Sequence, residues 1–227
     1  MILLWSEELQ LRILREVRND GLLHRVLAFD LETKILNKDD FLTNEIILGI
    51  SVARRLSSNS IERKSFFLDK ETSENEFKLL QQFSNLLKEW KPLLIVGYGV
   101  RYYDQPLLAL KERKCRNHNV QVWGIKNVIN GSIFIELANL SSYLLYKIYN
   151  EGRSYRKMID VMNHKHFVDL PFIRTKEIYD TSFEDKGKGI YEDWKNKDEK
   201  FRDYLDAEAY NQLLIAERIR ETKFRGV

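Results

Sequence analysis

The segment Val26-Leu27-Ala28-Phe29-Asp30-Leu31-Glu32-Thr33 constrains the fold more than any other stretch of the chain. It is apolar, free of glycine and proline, and suited to a central strand, and it closes on two carboxylates spaced two apart. Side chains alternate along a strand, so Asp30 and Glu32 face the same way. Two carboxylates on one face repel unless something positive lies between them, and a divalent cation is the usual means. The ordinary alternative is that the strand has ended and both acids are solvated. An isolated D-x-E pair does not separate the two.

Composition narrows the classes around that strand. The chain has 227 residues, 44% of them hydrophobic, which is enough for one large domain with its own core. Its 12% aromatic content excludes a disordered tail. The single cysteine, Cys115, excludes a disulfide-built scaffold and a thiolate zinc site. No apolar run approaches the roughly 18 residues of a membrane span. Met1-Ile2-Leu3-Leu4-Trp5 runs straight into Ser6-Glu7-Glu8, so no signal peptide is expected and the chain reads as cytoplasmic. A net charge of +3 decides nothing about partners.

Periodicity predicts a helix over 6–20, capped by Ser6 and stopped by Gly21. Strands are expected over 25–31, 44–53 and 65–68, with a polar loop over 54–63. A helix over 72–90 is closed by Pro92, and a buried strand follows over 93–96. A helix over 105–116 begins at Gln105-Pro106, where proline is tolerated. A short strand is expected over 120–125, helices over 132–150 and 155–162, and a short strand over 166–170. The stretch 176–200 has no clear pattern. A closing helix over 198–220 carries Phe201, Leu205, Ala209, Leu213 and Ala216 along one stripe. The order predicts an α/β fold, a mixed sheet flanked by helices. The expected organisation is one domain over 1–227, with an N-terminal helical extension over 1–24 and a mostly helical insertion over 126–195.

Two further acids sit in apolar surroundings. Asp104 lies where Gly97-Tyr98-Gly99-Val100-Arg101-Tyr102-Tyr103 hands over to a helix, so it is either an N-cap or a ligand, or both. Asp206 lies beside Leu205 and Ala209 of the apolar stripe; turned inward, it needs a partner.

Asp30-x-Glu32, Gly97-Tyr98…Asp104-x-Pro106 and Asp206-Ala207 together resemble the three motifs of the DEDD exonuclease superfamily, which has a ribonuclease H-like fold. The likeness is to the proofreading exonuclease domains of family B DNA polymerases and their stand-alone relatives, over residues 25–220. It implies a 3′→5′ exonuclease acting on single-stranded nucleic acid, DNA ahead of RNA, with a polymerase or repair protein as partner and no membrane. Asp30, Glu32, Asp104 and Asp206 would then hold two Mg²⁺ or Mn²⁺ ions. Asp30 would bridge them, and Asp104 would act through water. Substrate contacts are expected from Thr33, Tyr98, Gly99, Arg101, Tyr102 and Arg202.

Two departures from the family pattern bear on activity. Relatives orient the attacking water with a tyrosine four residues before the last acid or a histidine five before, and here those positions hold Arg202 and Phe201. Moving the register makes Tyr204-x-x-x-Glu208 the motif, with Glu208 as the alternative ligand. The pattern Asp-Ala-Glu-Ala-x-x-Gln-Leu favours Asp206. Gly99 stands where relatives carry asparagine. These departures also admit a catalytically silent module that binds nucleic acid or a polymerase-like partner. Among weaker signals, Lys111, Arg113, Lys114 and Arg116 suit phosphates or a solvated helix end alike. His164-x-His166 lacks further ligands for zinc.

Overall fold

The computed structural model describes residues 6–17, 22–34, 42, 45–154, 156–175, 179 and 183–223. The expected stop at Gly21 and the strand start at Asn44 lie outside the described residues.

The first helix, α1 (Glu7–Glu16), is capped by the Ser6 hydroxyl, which accepts from the Leu9 amide at 3.3 Å. After a short 3₁₀ turn (Leu23–Arg25) come β1 (Val26–Lys34), β2 (Ile46–Ser57) and β3 (Ser60–Phe67). Helix α2 (Ser73–Trp90) leads into β4 (Leu94–Gly97). A π-helical turn (Val100–Asp104) runs directly into α3 (Gln105–Asn117). Then follow α4 (Trp123–Gly131), β5 (Ile133–Glu136), α5 (Leu137–Tyr149), α6 (Met158–Met162), α7 (Phe183–Lys195) and α8 (Glu199–Glu221).

The five strands form one sheet in the order β3-β2-β1-β4-β5. The first three pair antiparallel, and β4 and β5 add parallel to β1. This is the mixed, helix-flanked α/β sheet expected from the sequence, with β1 at its centre. Alternation along β1 sorts its side chains into two cores. Leu27, Phe29 and Leu31 join the cluster containing Leu80 and Phe83 of α2, whereas Val26 and Ala28 join the one containing Leu213 and Ala216 of α8. Asp30 and Glu32 continue the second face, so both acids lie under α8.

The approach of α8 is set by small residues. Opposite Ala28, Asp30 and Glu32 on β2 stand Ala53, Ser51 and Gly49, and directly opposed residues share a face. A Cβ on Gly49 would lie 2.5 Å from Leu205 Cδ2 and 3.2 Å from Phe201 Cζ. Gly97 is equally closed, since a Cβ there would meet Gln212 Oε1 at 2.9 Å and the Phe29 carbonyl at 3.1 Å. The helix therefore crosses the sheet close to the ends of β1 and β4.

Several expectations are corrected. The expected loop over 54–63 is hairpin: β2 runs to Ser57 and β3 starts at Ser60, with Glu62, Arg63 and Lys64 on a partly exposed edge strand. The expected strand over 120–125 gives way to α4. The expected helix over 132–150 begins as β5, so part of the stretch read as an insertion is sheet. Residues 166–170 form turns, with the Phe167 amide bonded to the His164 carbonyl at 2.8 Å. The unpatterned 176–200 stretch contains α7. Cys115 is buried among apolar groups, and burial pushes its thiol up to about 11 despite the neighbouring lysines.

Candidate active site

Asp30 and Glu32 are both buried, at the end of β1 and just before a bulge between Glu32 and Thr33. The parallel ladder with β4 stops at Ala28↔Val96. Beyond it the chain leaves β4 through Gly99, at φ 76°, into the π-helical turn. That left-handed backbone suits glycine and is tolerated by asparagine, so either residue fits this turn.

The turn is held from beneath by Glu136 at the end of β5. Its carboxylate accepts the Gly99 amide at 2.8 Å, the Arg101 amide at 3.4 Å and the Ala138 amide at 3.3 Å. Burial raises the Glu136 pKa from its ordinary value, and the three amides oppose that rise. So fixed, the turn delivers Asp104 to the sheet face. Asp104 is only 3% exposed and does not cap α3, and its Oδ2 has no hydrogen-bond partner. Burial, and then the charges of Asp30, Glu136 and Glu32, push its pKa well up. The capping reading of Asp104 is thus replaced by that of a buried acid facing Asp30 and Glu32.

The third element is α8, on which the two candidate acids, Asp206 and Glu208, face different ways. Asp206 is exposed and accepts from the Ser65 hydroxyl on β3, away from the other acids. Residues two apart on a helix point to nearly opposite sides. Tyr204, Glu208 and Gln212, four apart, form the stripe that faces β1; all three are buried. The Tyr204 hydroxyl is hydrogen-bonded to Glu32, and burial followed by the charges of Glu208, Glu32 and Asp30 holds it protonated. Gln212 Nε2 donates to Asp30 Oδ1 at 2.8 Å. The structure therefore joins Asp30, Glu32, Asp104, Tyr204 and Glu208, and leaves Asp206 out.

Of the expected substrate residues, Thr33 is buried with its hydroxyl 2.5 Å from the Tyr103 hydroxyl. Tyr98 is 3.1 Å from the Ser141 hydroxyl. Tyr102 is 58% exposed beside the turn and accepts from Asn139 Nδ2 at 3.2 Å. Arg101 is partly exposed next to it. Arg202, exposed on α8, lies over Phe67, with its guanidinium 5.3 Å from the ring centroid. The basic run on α3 is partly spent internally: Lys111 is buried 2.5 Å from Glu76, and Lys114 is 3.5 Å from the same carboxylate. His164 lies 2.9 Å from Glu151 and His166 2.9 Å from Thr222.

Sequence reading missed three contributors. Glu136 ends a short apolar run, and Gln212 continues the Tyr204–Glu208 spacing, which is the signal that could have found it. Lys186 on α7 sits with Nζ 3.6 Å from Glu32 Oε1 and 5.5 Å from the Tyr204 ring, and no local pattern announces it. The result is a buried acidic cluster beneath α8 with Lys186 at its edge. As the side chains stand, no three Asp, Glu, His or Cys among the described residues converge on one ion position. Unscreened carboxylates repel and spread.

Residues 23–170 match the family described as DNA polymerase family B, exonuclease domain. No curated protein matches the chain. Among solved structures, the family B DNA polymerase from the hyperthermophilic archaeon Pyrobaculum calidifontis superposes with a TM-score of 0.52 at 16% identity. That likeness is one of fold. It covers 86% of this chain and 24% of the polymerase, so the chain spans about a quarter of that protein's length.

Proposed function

The chain belongs to the exonuclease-domain family of the family B DNA polymerases, and from that premise we propose that it removes nucleotides from the 3′ end of single-stranded DNA, with RNA as the alternative substrate. The observation that carries this reading is Tyr204 and Glu208 meeting Asp30, Glu32 and Asp104 under α8. In this register the two departures that favoured a silent module lose their force. A tyrosine does stand four residues before the last acid, and Gly99 keeps the turn.

The donor set is all carboxylate oxygen, and Asp104 Oδ2 is a buried oxygen lacking a partner. Hard divalent cations suit such a set. Asp30, Glu32, Asp104 and Glu208 would hold two Mg²⁺ or Mn²⁺ ions. Bound there, such ions supply water activation and charge stabilisation at the leaving 3′ oxygen.

The chain's own residues do the rest. Tyr204, kept protonated by burial, donates toward Glu32 and would orient the attacking water. Gln212 fixes the orientation of the Asp30 carboxylate through Oδ1. Lys186 brings positive charge to the edge of the cluster, where a phosphate would lie. Glu136 holds the backbone that carries Asp104. Arg101 and Tyr102 flank the cluster and would meet the terminal nucleotide. A polymerase or repair protein would supply the setting in which a mispaired end is released as single strand.

Digestion of 5′-labelled single-stranded DNA and RNA with Mg²⁺ or Mn²⁺ tests the reading. A ladder shrinking from the 3′ end, lost in Asp30→Ala while that variant still melts cooperatively, is the expected result. No ladder with either metal and either substrate overturns it.

A further inference from the structure

Two pairs of neighbouring residues straddle the end of the sheet. Glu32 is followed by Thr33, which points to the opposite face of β1, and Asp104 is preceded by Tyr103. The two acids lie beneath α8 with Asp30, whereas the Tyr103 ring packs on the other face, against the cluster of Leu31, Leu80 and Phe83. There the hydroxyls of the other two residues meet, with Thr33 Oγ1 2.5 Å from the Tyr103 oxygen. The Tyr103 hydroxyl donates to Glu45 Oε2. Its one proton is thereby spent, so the Thr33 hydroxyl is the donor to the tyrosine oxygen. Thr33 and Glu45 are both buried, and the second Glu45 oxygen accepts from the Leu42 amide. Burial, and then the bond to Glu45, raises the Tyr103 pKa, so the hydroxyl keeps its proton.

Asp30, Glu32 and Asp104 repel one another, so their separation has to be imposed by the backbone that carries them. Glu136 holds the turn before Asp104 by its amides, from β5. The Thr33–Tyr103 bond ties the same turn to β1, one residue away from each of two acids. We propose that Tyr103 is a positioning residue whose hydroxyl, gripped between Thr33 and Glu45, sets the Glu32–Asp104 separation at which the cluster takes up divalent ions; this rests on the exonuclease reading above. The hydroxyl lies on the face away from the acids and acts only through the backbone. Its loss therefore lowers metal affinity and turnover and leaves strand binding as it was.

Tyr103→Phe removes the hydroxyl and keeps the ring, and Thr33→Val removes its donor. Both are compared with the double variant, each after a cooperative melt shows that it folds. Thr33→Val, which leaves the Tyr103–Glu45 bond in place, carries the comparison if Tyr103→Phe does not fold. Mn²⁺ alone is titrated calorimetrically without nucleic acid, and kcat and KM are taken from digestion of a 5′-labelled single strand at limiting Mn²⁺. Tyr103→Phe is expected to bind Mn²⁺ about 10–100-fold more weakly, with kcat falling alongside and KM for the strand unchanged. Thr33→Val should move the same two quantities, and the double variant should be little worse than the weaker single. Wild-type Mn²⁺ affinity in either folded single variant overturns the proposal and leaves the exonuclease reading intact. A raised KM at unchanged kcat makes the pair a strand contact and overturns it too, as do losses that simply add in the double variant. A wild-type protein that takes up no Mn²⁺ and leaves the strand whole overturns the exonuclease reading, and the proposal with it.

Discussion

Gln212 donates its side-chain amide to Asp30 Oδ1 at 2.8 Å, tying the last helix to the central strand at the carboxylate cluster. Both residues are buried, and the contact is made possible by Gly97, whose missing Cβ leaves room for the Gln212 side chain. Gln212→Leu removes a donor from a buried carboxylate. It is expected to cost about 1–3 kcal/mol in stability and to slow nucleotide release at least severalfold, because Asp30 loses its tie to α8. Urea denaturation and digestion rates check the two effects separately, and a variant with wild-type stability would show that the contact contributes nothing.

Lys111 and Glu76 form a buried pair distant in role from the site. The Lys111 ammonium lies 2.5 Å from Glu76 Oε1 and also donates to the Glu45 carbonyl. Burial lowers the Lys111 pKa, and Glu76 opposes that fall. Lys111→Met strands a carboxylate that retains only the Ile47 amide at 3.0 Å and the more exposed Lys114. A loss of about 3–5 kcal/mol is expected, against less than about 1 kcal/mol for Lys114→Ala. Equal losses in urea titrations of the two variants would contradict the assignment.

How much of this was legible beforehand differs by residue. The run Val26–Leu31 announced the central strand, and the D-x-E spacing announced two acids on one face. Arg54–Arg63 misled, because an edge hairpin rich in charged residues and serine has the composition of a loop. Ile133–Glu136 was hidden because four residues of strand pass into α5 without a breaker. The α8 register was not legible either. Ala207, Glu208 and Ala209 are all buried, so the helix has a wide inward face on which local periodicity cannot rank Asp206 against Glu208. Lys186 comes from a separate helix, and only tertiary packing brings it to Glu32.

Glu136 should give the metal-free protein a characteristic pH dependence. Burial raises its folded-state pKa above the unfolded value. A carboxyl raised in this way contributes most below its unfolded pKa, and that contribution is lost as pH rises through the folded pKa. As pH rises from the ordinary glutamate range toward neutrality, the wild type is therefore expected to lose more melting temperature than Glu136→Gln, which cannot titrate. Parallel melting curves in EDTA would contradict the burial argument.

The central claim is that Glu208, together with Tyr204, completes the cluster of Asp30, Glu32 and Asp104, while Asp206 stands outside it. Digestion of a 5′-labelled single strand by Glu208→Gln and Asp206→Asn, each with Mg²⁺ and with Mn²⁺, tests it most directly. Asp206→Asn should shorten the strand at close to the wild-type rate, and Glu208→Gln should leave it intact with both metals. An active Glu208→Gln beside a dead Asp206→Asn would contradict the account.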